Sequence, residues 1–276
     1  MNTTIFTSAA GPTIGPKENR LLIFTGFFLI TFYLPVFPII NNIAILSLTI
    51  LCLFFNSWRE KLRLLKQRPA IFIITLFYLL LVISAFTSID EAKGMQYLQV
   101  RIPLLLFPLT LGLIQIKPAV KIRVYLLYAV ITTLAACFCL VSALIVYNRT
   151  GDSGFIYNDS LTEAIGKQSS YFALMVNLAI FSYSYLLIKN YITRSFKKVV
   201  IILIAFLMII HFLLASRMEI SLLYGAAIAF ALYHFFVKTK NRRAGFIMIG
   251  GLAFCAVIFV YLFPKTINRF NELLYP

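Results

Sequence analysis

Arg217 and Glu219 stand two residues apart in LLASRMEISLLYG, residues 213–225, with long apolar runs on both sides. Arginine keeps its charge and presents a planar fork of donors that matches phosphate oxygens. An ionised side chain beside lipid is costly, so it marks either an anion-binding cavity or the boundary where the chain meets headgroups. Residues two apart on a helix point to different faces, so a local ion pair does not account for both. Glu219 is also a carboxylate that could act as a general base. Asp159, in the polar stretch NRTGDSGFIYNDSLTEAIGKQS (148–169), is another. His211 lies six residues before Arg217 and could line the same cavity or simply pack within the membrane. Cys52, Cys137, Cys139 and Cys255 all fall inside apolar runs without a companion cluster of ligands, so they read as packing residues. No metal site and no cofactor are expected.

These residues are positioned by a chain that is 61% hydrophobic and only 12% charged, too little charge to clothe a soluble domain of 276 residues. The expected fold is all-α, a polytopic bundle of transmembrane helices. Nine spans are legible, at about 20–37, 41–56, 70–87, 98–116, 123–147, 170–188, 199–215, 219–237 and 244–263. Residues 199–237 would make a straight helix roughly 58 Å long, about twice the hydrocarbon core, so the chain must turn, and ASRME is where it can. Pro103 and Pro108 predict a kink or break in the fourth span.

The net charge of +16 does not point to nucleic acid, because the basic residues cluster between apolar runs rather than on a soluble face. NSWREKLRLLKQRP, KPAVKIR, KNYITRSFKK and KTKNRR, with Lys17 and Arg20, carry eighteen of the 25 basic residues. Nine spans put them all on one side, cytoplasmic by the positive-inside rule. Seven of the nine acidic residues then fall on the other side. The N-terminus is expected inside and the C-terminus outside. Residues 1–19 form a cytoplasmic polar segment, 20–263 the membrane domain and 264–276 a periplasmic tail.

LLASRMEISLLYG resembles the SR-containing motif of the bacterial O-antigen ligase/polymerase family of membrane glycosyltransferases. VRIPLLLFPLTLG (100–112) is similar to the family's Arg/Pro segment, and KQSSYFALMVNLAI (167–180) to its helix opening with a polar residue and an aromatic. FPKTINRFNE (263–272) resembles the entry to the family's large outer loop. The likeness covers the N-terminal part of such proteins. It implies a bacterial inner-membrane protein that takes an undecaprenyl-diphosphate-linked glycan donor at the periplasmic face and passes the glycan to an acceptor, such as another glycan or a lipid A-core type acceptor. It implies no metal and makes membrane lipid the surrounding partner. Carried over residue by residue, it implies that Arg217, Arg101 and Arg269 hold the diphosphate, with Gln168 and Tyr171 lining the cavity. Where many relatives have a histidine, this chain has Gln168, Ser169 and Ser170.

Two other readings stay open: a transporter or flippase for a lipid-linked or anionic substrate, and a non-catalytic subunit that binds the glycan lipid. No inverted repeat is visible, and the charges lie at helix ends, which weighs against transport. With nine spans, a reporter fused after Lys240 is expected inside and one after Pro276 outside. Finding both on one side of the membrane refutes that topology.

Overall fold

Proline sets the start of several helices. It needs no hydrogen-bonding partner at the first helical position and arrives with φ already helical. Helices begin at Pro16, Pro38, Pro69 and Pro118. The computed structural model describes residues 14–33, 38–88 and 90–238, and beyond them 243, 245–248, 250–251 and 253–254. The described chain is all-α: α1 (Pro16–Tyr33), α2 (Pro38–Leu53), α3 (Trp58–Gln67), α4 (Pro69–Phe86), α5 (Glu91–Thr110), α6 (Pro118–Thr150), α7 (Asn158–Thr162), α8 (Ser169–Ile188), α9 (Arg194–Leu213) and α10 (Arg217–Ala231). Short 3₁₀ turns lie at Leu111–Leu113, Ser153–Ile156 and Glu163–Ile165, and a π-helical stretch, Leu232–Lys238, continues α10.

Among the described residues, α4, α6, α8, α9 and α10 continued to Phe235 are long and apolar enough to cross a membrane. The α2–α3 pair, bent by 100°, makes a sixth if counted as one span. The chain therefore has the makings of a multi-pass membrane protein. Lys17, Glu18 and Arg20 dilute α1, and the first half of α5 is the polar EAKGMQYLQVR. Of the expected ninth span, 244–263, residues 245–248, 250–251 and 253–254 are described and are helical; the tail from 264 and most of 1–19 lie outside the described residues. Helix α4 leaves Phe72, Ile73, Phe77 and Ile83 exposed, a face that water does not tolerate and lipid does. Hydroxyl side chains within the helices mostly bond their own backbone: Thr25 to the Leu21 carbonyl (2.7 Å), Thr75 to Ile71 (2.9 Å), Thr133 to Ala129 (2.7 Å) and Ser182 to Leu178 (2.7 Å).

The chain divides into two compact units, one over Ala10–Val124 and one from Tyr125 onward. In the first, α1 packs on α2, and α4 packs along α5. Leu21, Leu48, Cys52, Ile114 and Val120 form a buried core. The basic stretch after α2, read from sequence as a loop, is the amphipathic helix α3. Ser57 and Glu60 form its start, with the Ser57 hydroxyl accepting from the Glu60 N–H (3.4 Å). Lys61 turns inward, donates to the Leu53 carbonyl and lies 5.0 Å from the Trp58 ring centre. Arg68 donates to the carbonyls of Gly112 and Ile114, the latter at 3.2 Å. The expected break in the fourth span takes a milder form: α5 runs through Pro103 and Pro108 and changes to 3₁₀ only after Thr110.

In the second unit, α8 is central. Its buried residues Phe172, Val176, Ala179, Tyr183 and Leu186 recur at three- and four-residue spacing, the stripe of a helix packed on its neighbours. It meets α9 and α10, and the α6 side chain of Tyr128 donates to the Met175 carbonyl (3.1 Å).

Close approach of α4 and α5 depends on Gly94. A β-carbon there would lie 2.8 Å from the Ala85 carbonyl oxygen. Gly94→Val is expected to lower the unfolding free energy in detergent by about 1–3 kcal/mol. Unchanged unfolding in a denaturant titration would show that the two backbones do not touch there.

Candidate functional site

The reversal between α9 and α10 lies where the sequence demanded it, and it is buried: every residue from Ile210 to Ser216 is at most 7% exposed. The Leu214 N–H bonds the Ile210 carbonyl (3.0 Å) and the Ala215 N–H the Phe212 carbonyl (3.1 Å), closing the last turn of α9. Ala215 takes a left-handed backbone, φ 48°, a conformation that costs an L-residue with a β-carbon about 1–2 kcal/mol. The Ser216 carbonyl then accepts the Ile220 N–H (3.0 Å) and opens α10. The Ser216 side chain does not cap its own helix. Its hydroxyl donates to Ser170 on the first turn of α8 at 3.4 Å.

That contact brings two helix N-termini together, each with N–H groups that no helical carbonyl can satisfy and with a partial positive charge. The polar stretch before α8 folds onto it as a cap in which Leu161, Thr162 and Ile165 are buried. Asp159 Oδ1 accepts the Ser169 N–H at 2.6 Å, and the Thr162 hydroxyl lies 2.6 Å from the Lys167 carbonyl oxygen. Gly166, at φ 59°, makes the turn that releases the chain into α8. Lys167 is half-buried, and that burial holds its ammonium below the ordinary lysine value. Arg217, also half-buried, stands in the first turn of α10. Lys167 just before α8 and Arg217 in the first turn of α10 put a cation at each of these two helix N-termini, an arrangement that favours an anion.

One turn deeper, α8, α9 and α10 share a polar cluster. The Asn177 amide donates to the Glu219 carbonyl oxygen (2.9 Å) and to Glu219 Oε2 (3.3 Å). Asn177 is fully buried, and its own Oδ1 has no protein partner among the described residues. His211 is fully buried too, and neither of its ring nitrogens makes a hydrogen bond there. The Glu219 backbone approaches the ring without hydrogen-bond geometry. A buried amide oxygen and an imidazole left in this state are places where a water or a ligand group would be held.

The structure thus gathers Arg217, Glu219, His211 and Asp159 around the α8 and α10 starts. Asp159 spends one carboxylate oxygen on capping α8, and Glu219 is held by Asn177. Gln168 and Tyr171 stand at the same helix start but are exposed, Tyr171 by 65%. Arg101 belongs to the other compact unit, exposed on α5 with its guanidinium 5.8 Å from the Tyr97 ring centre. It lines a groove of about 650 Å³ with Phe77, Leu81 and Pro103. Arg269 lies outside the described residues. Cys52 and Cys139 are buried and unpaired, and Cys255 lies outside the described residues. No protein-family model, no curated protein and no solved structure matches the chain.

Asn177 and Lys167 are the site residues that the sequence reading passed over. Asn177 does carry a signal, a lone amide inside YFALMVNLAIF where a membrane helix needs none. Asn177→Leu keeps the size and removes the bond to α10. It is expected to lower the unfolding free energy by about 0.5–2 kcal/mol, the range of interhelical polar contacts in membranes. Equal stability of the variant and the wild type would show that the contact does not tie α8 to α10.

Proposed function

We propose that this chain is an O-antigen ligase/polymerase-like membrane protein that takes an undecaprenyl-diphosphate-linked glycan at the periplasmic face of the bacterial inner membrane. The corner formed by the α8 and α10 starts holds the diphosphate. Nine spans with the N-terminus inside and the C-terminus outside put that corner on the periplasmic side. The observation that carries the reading is the position of Arg217: half-buried in the first turn of α10, whose start the Ser216–Ser170 contact ties to the start of α8. A diphosphate leaving group is a concentrated anion, and fixed donors in a dry corner stabilise it with no reorganisation at the moment of transfer. Arg101 and Arg269 are further candidates for the same anion, carried by the resemblance alone.

The state of the two carboxylates favours a second reading, in which the chain binds the glycan lipid and a partner supplies the base. Asp159 caps a helix and Glu219 is hydrogen-bonded to Asn177. Under the first reading Glu219 activates the acceptor hydroxyl, with Asn177 holding it in place. Turnover by the purified chain, given donor and acceptor, separates the two.

Binding of undecaprenyl diphosphate to the detergent-purified chain tests what both share. Arg217→Lys keeps the charge and loses the bidentate fork. It is expected to weaken binding by about tenfold or more while membrane insertion is unchanged. Wild-type affinity in that variant would sink the diphosphate role.

A further inference from the structure

The opposite end of the same helices carries a different feature, a groove of about 650 Å³ running along α8 and α10. Its walls are apolar, with Ile180 and Phe181 from α8 and Leu223, Ala226, Ala227 and Phe230 from α10. Ala226 and Ala227 line it with single methyl groups where larger side chains would fill it. From Leu223 to Lys238 the groove runs about 20 Å along the helix, a length that an extended acyl chain fills.

One end of this groove is basic. Lys189 follows the last turn of α8, and Lys238 ends the π-helical stretch after α10. Both line the groove. His234 stands beside them, stacked on Phe230 with ring centres 5.4 Å apart. The π-helical stretch changes the register of the chain just where these side chains reach the rim, and such local widenings recur at functional sites. Both lysines are exposed, so each ammonium can reach an anion held at the mouth. The apolar wall asks for a chain, and the mouth asks for a phosphate at its end.

We propose that this groove is a binding site for an anionic glycerophospholipid of the phosphatidylglycerol class. One acyl chain lies along Ala226 and Ala227, and Lys189 and Lys238 hold the phosphate at the mouth. The site is separate from the Arg217 corner, which lies at the other end of α8 and α10, and does not depend on what that corner holds. Its rim continues into KNYITRSFKK, the turn after α8 and the first residues of α9, whose basic residues draw anionic headgroups to that membrane face.

Native mass spectrometry of the full chain, released from nanodiscs containing phosphatidylglycerol and phosphatidylcholine, tests this. One phosphatidylglycerol is expected to stay on the wild type, at least tenfold enriched over phosphatidylcholine. Lys189→Gln with Lys238→Gln should abolish that preference, and Lys189→Arg with Lys238→Arg should keep it. Ala226→Leu, which leaves the charges in place and fills the groove, should lose the retained lipid of either kind, and it serves as the test should the glutamine pair not fold. Equal retention of the two lipids by the wild type overturns the proposal. So does a retained phosphatidylglycerol that Ala226→Leu leaves in place, or its displacement by equimolar undecaprenyl phosphate.

Discussion

A chain that reverses direction next to lipid must find partners for the last carbonyls of one helix and the first N–H groups of the next, because no water is there to serve them. The turn from Leu213 to Arg217 meets this demand within five residues. Backbone bonds close α9, the Ala215 backbone goes left-handed, and the Ser216 carbonyl begins α10. The side chain of Ser216 is thereby freed to reach Ser170, and that reach draws the starts of α8 and α10 together. The juxtaposition of Arg217 with the capped start of α8 follows from how the reversal is solved. A glycine at 215 would make the same turn without strain, so the alanine is a cost carried by a buried corner.

The second compact unit is polarised from end to end. At one end polar groups are crowded, half-buried and tied to backbone: Asp159 to Ser169, Thr162 to Lys167, Asn177 to Glu219. At the other end the helices part around small residues, and the polarity is reduced to lysines on a rim. A compact polar corner suits a small, concentrated charge. A long apolar groove suits a chain.

Much of this was legible in the residues. The all-α class followed from composition, and the hairpin at ASRME from the impossible length of a single helix over 199–237. The helices open at Pro38, Pro69 and Pro118, ahead of the span starts expected at 41, 70 and 123, because proline tolerates the first helical position. What escaped was of two kinds. The helix α3 was hidden by its charge: a count of basic residues reads WREKLRLLKQ as a loop, although SWRE carries a capping box and Leu64 is buried against Ile71 and Leu113. The Asn177–Glu219 contact was hidden by distance, because no spacing rule joins residues 42 apart on different helices. Of the site, sequence supplied Arg217, Glu219, His211 and Asp159, but not that Asp159 serves as a cap. That depends on how the stretch 148–169 folds back on α8, which a polar composition leaves open.

The hydroxyl groups of the helices have a consequence for how the protein is made. Thr25, Thr75, Thr133 and Ser182 each bond a carbonyl one turn back in their own helix, so each helix can enter lipid alone without stranding them. Asn177 is different: its amide is served only once α10 has arrived beside α8. Until then α8 carries an unmet polar group in hydrocarbon, and the segments made after it are what relieve the debt. Assembly of this unit therefore has a direction. The helix made first waits, incompletely satisfied, for the hairpin that follows it out of the ribosome.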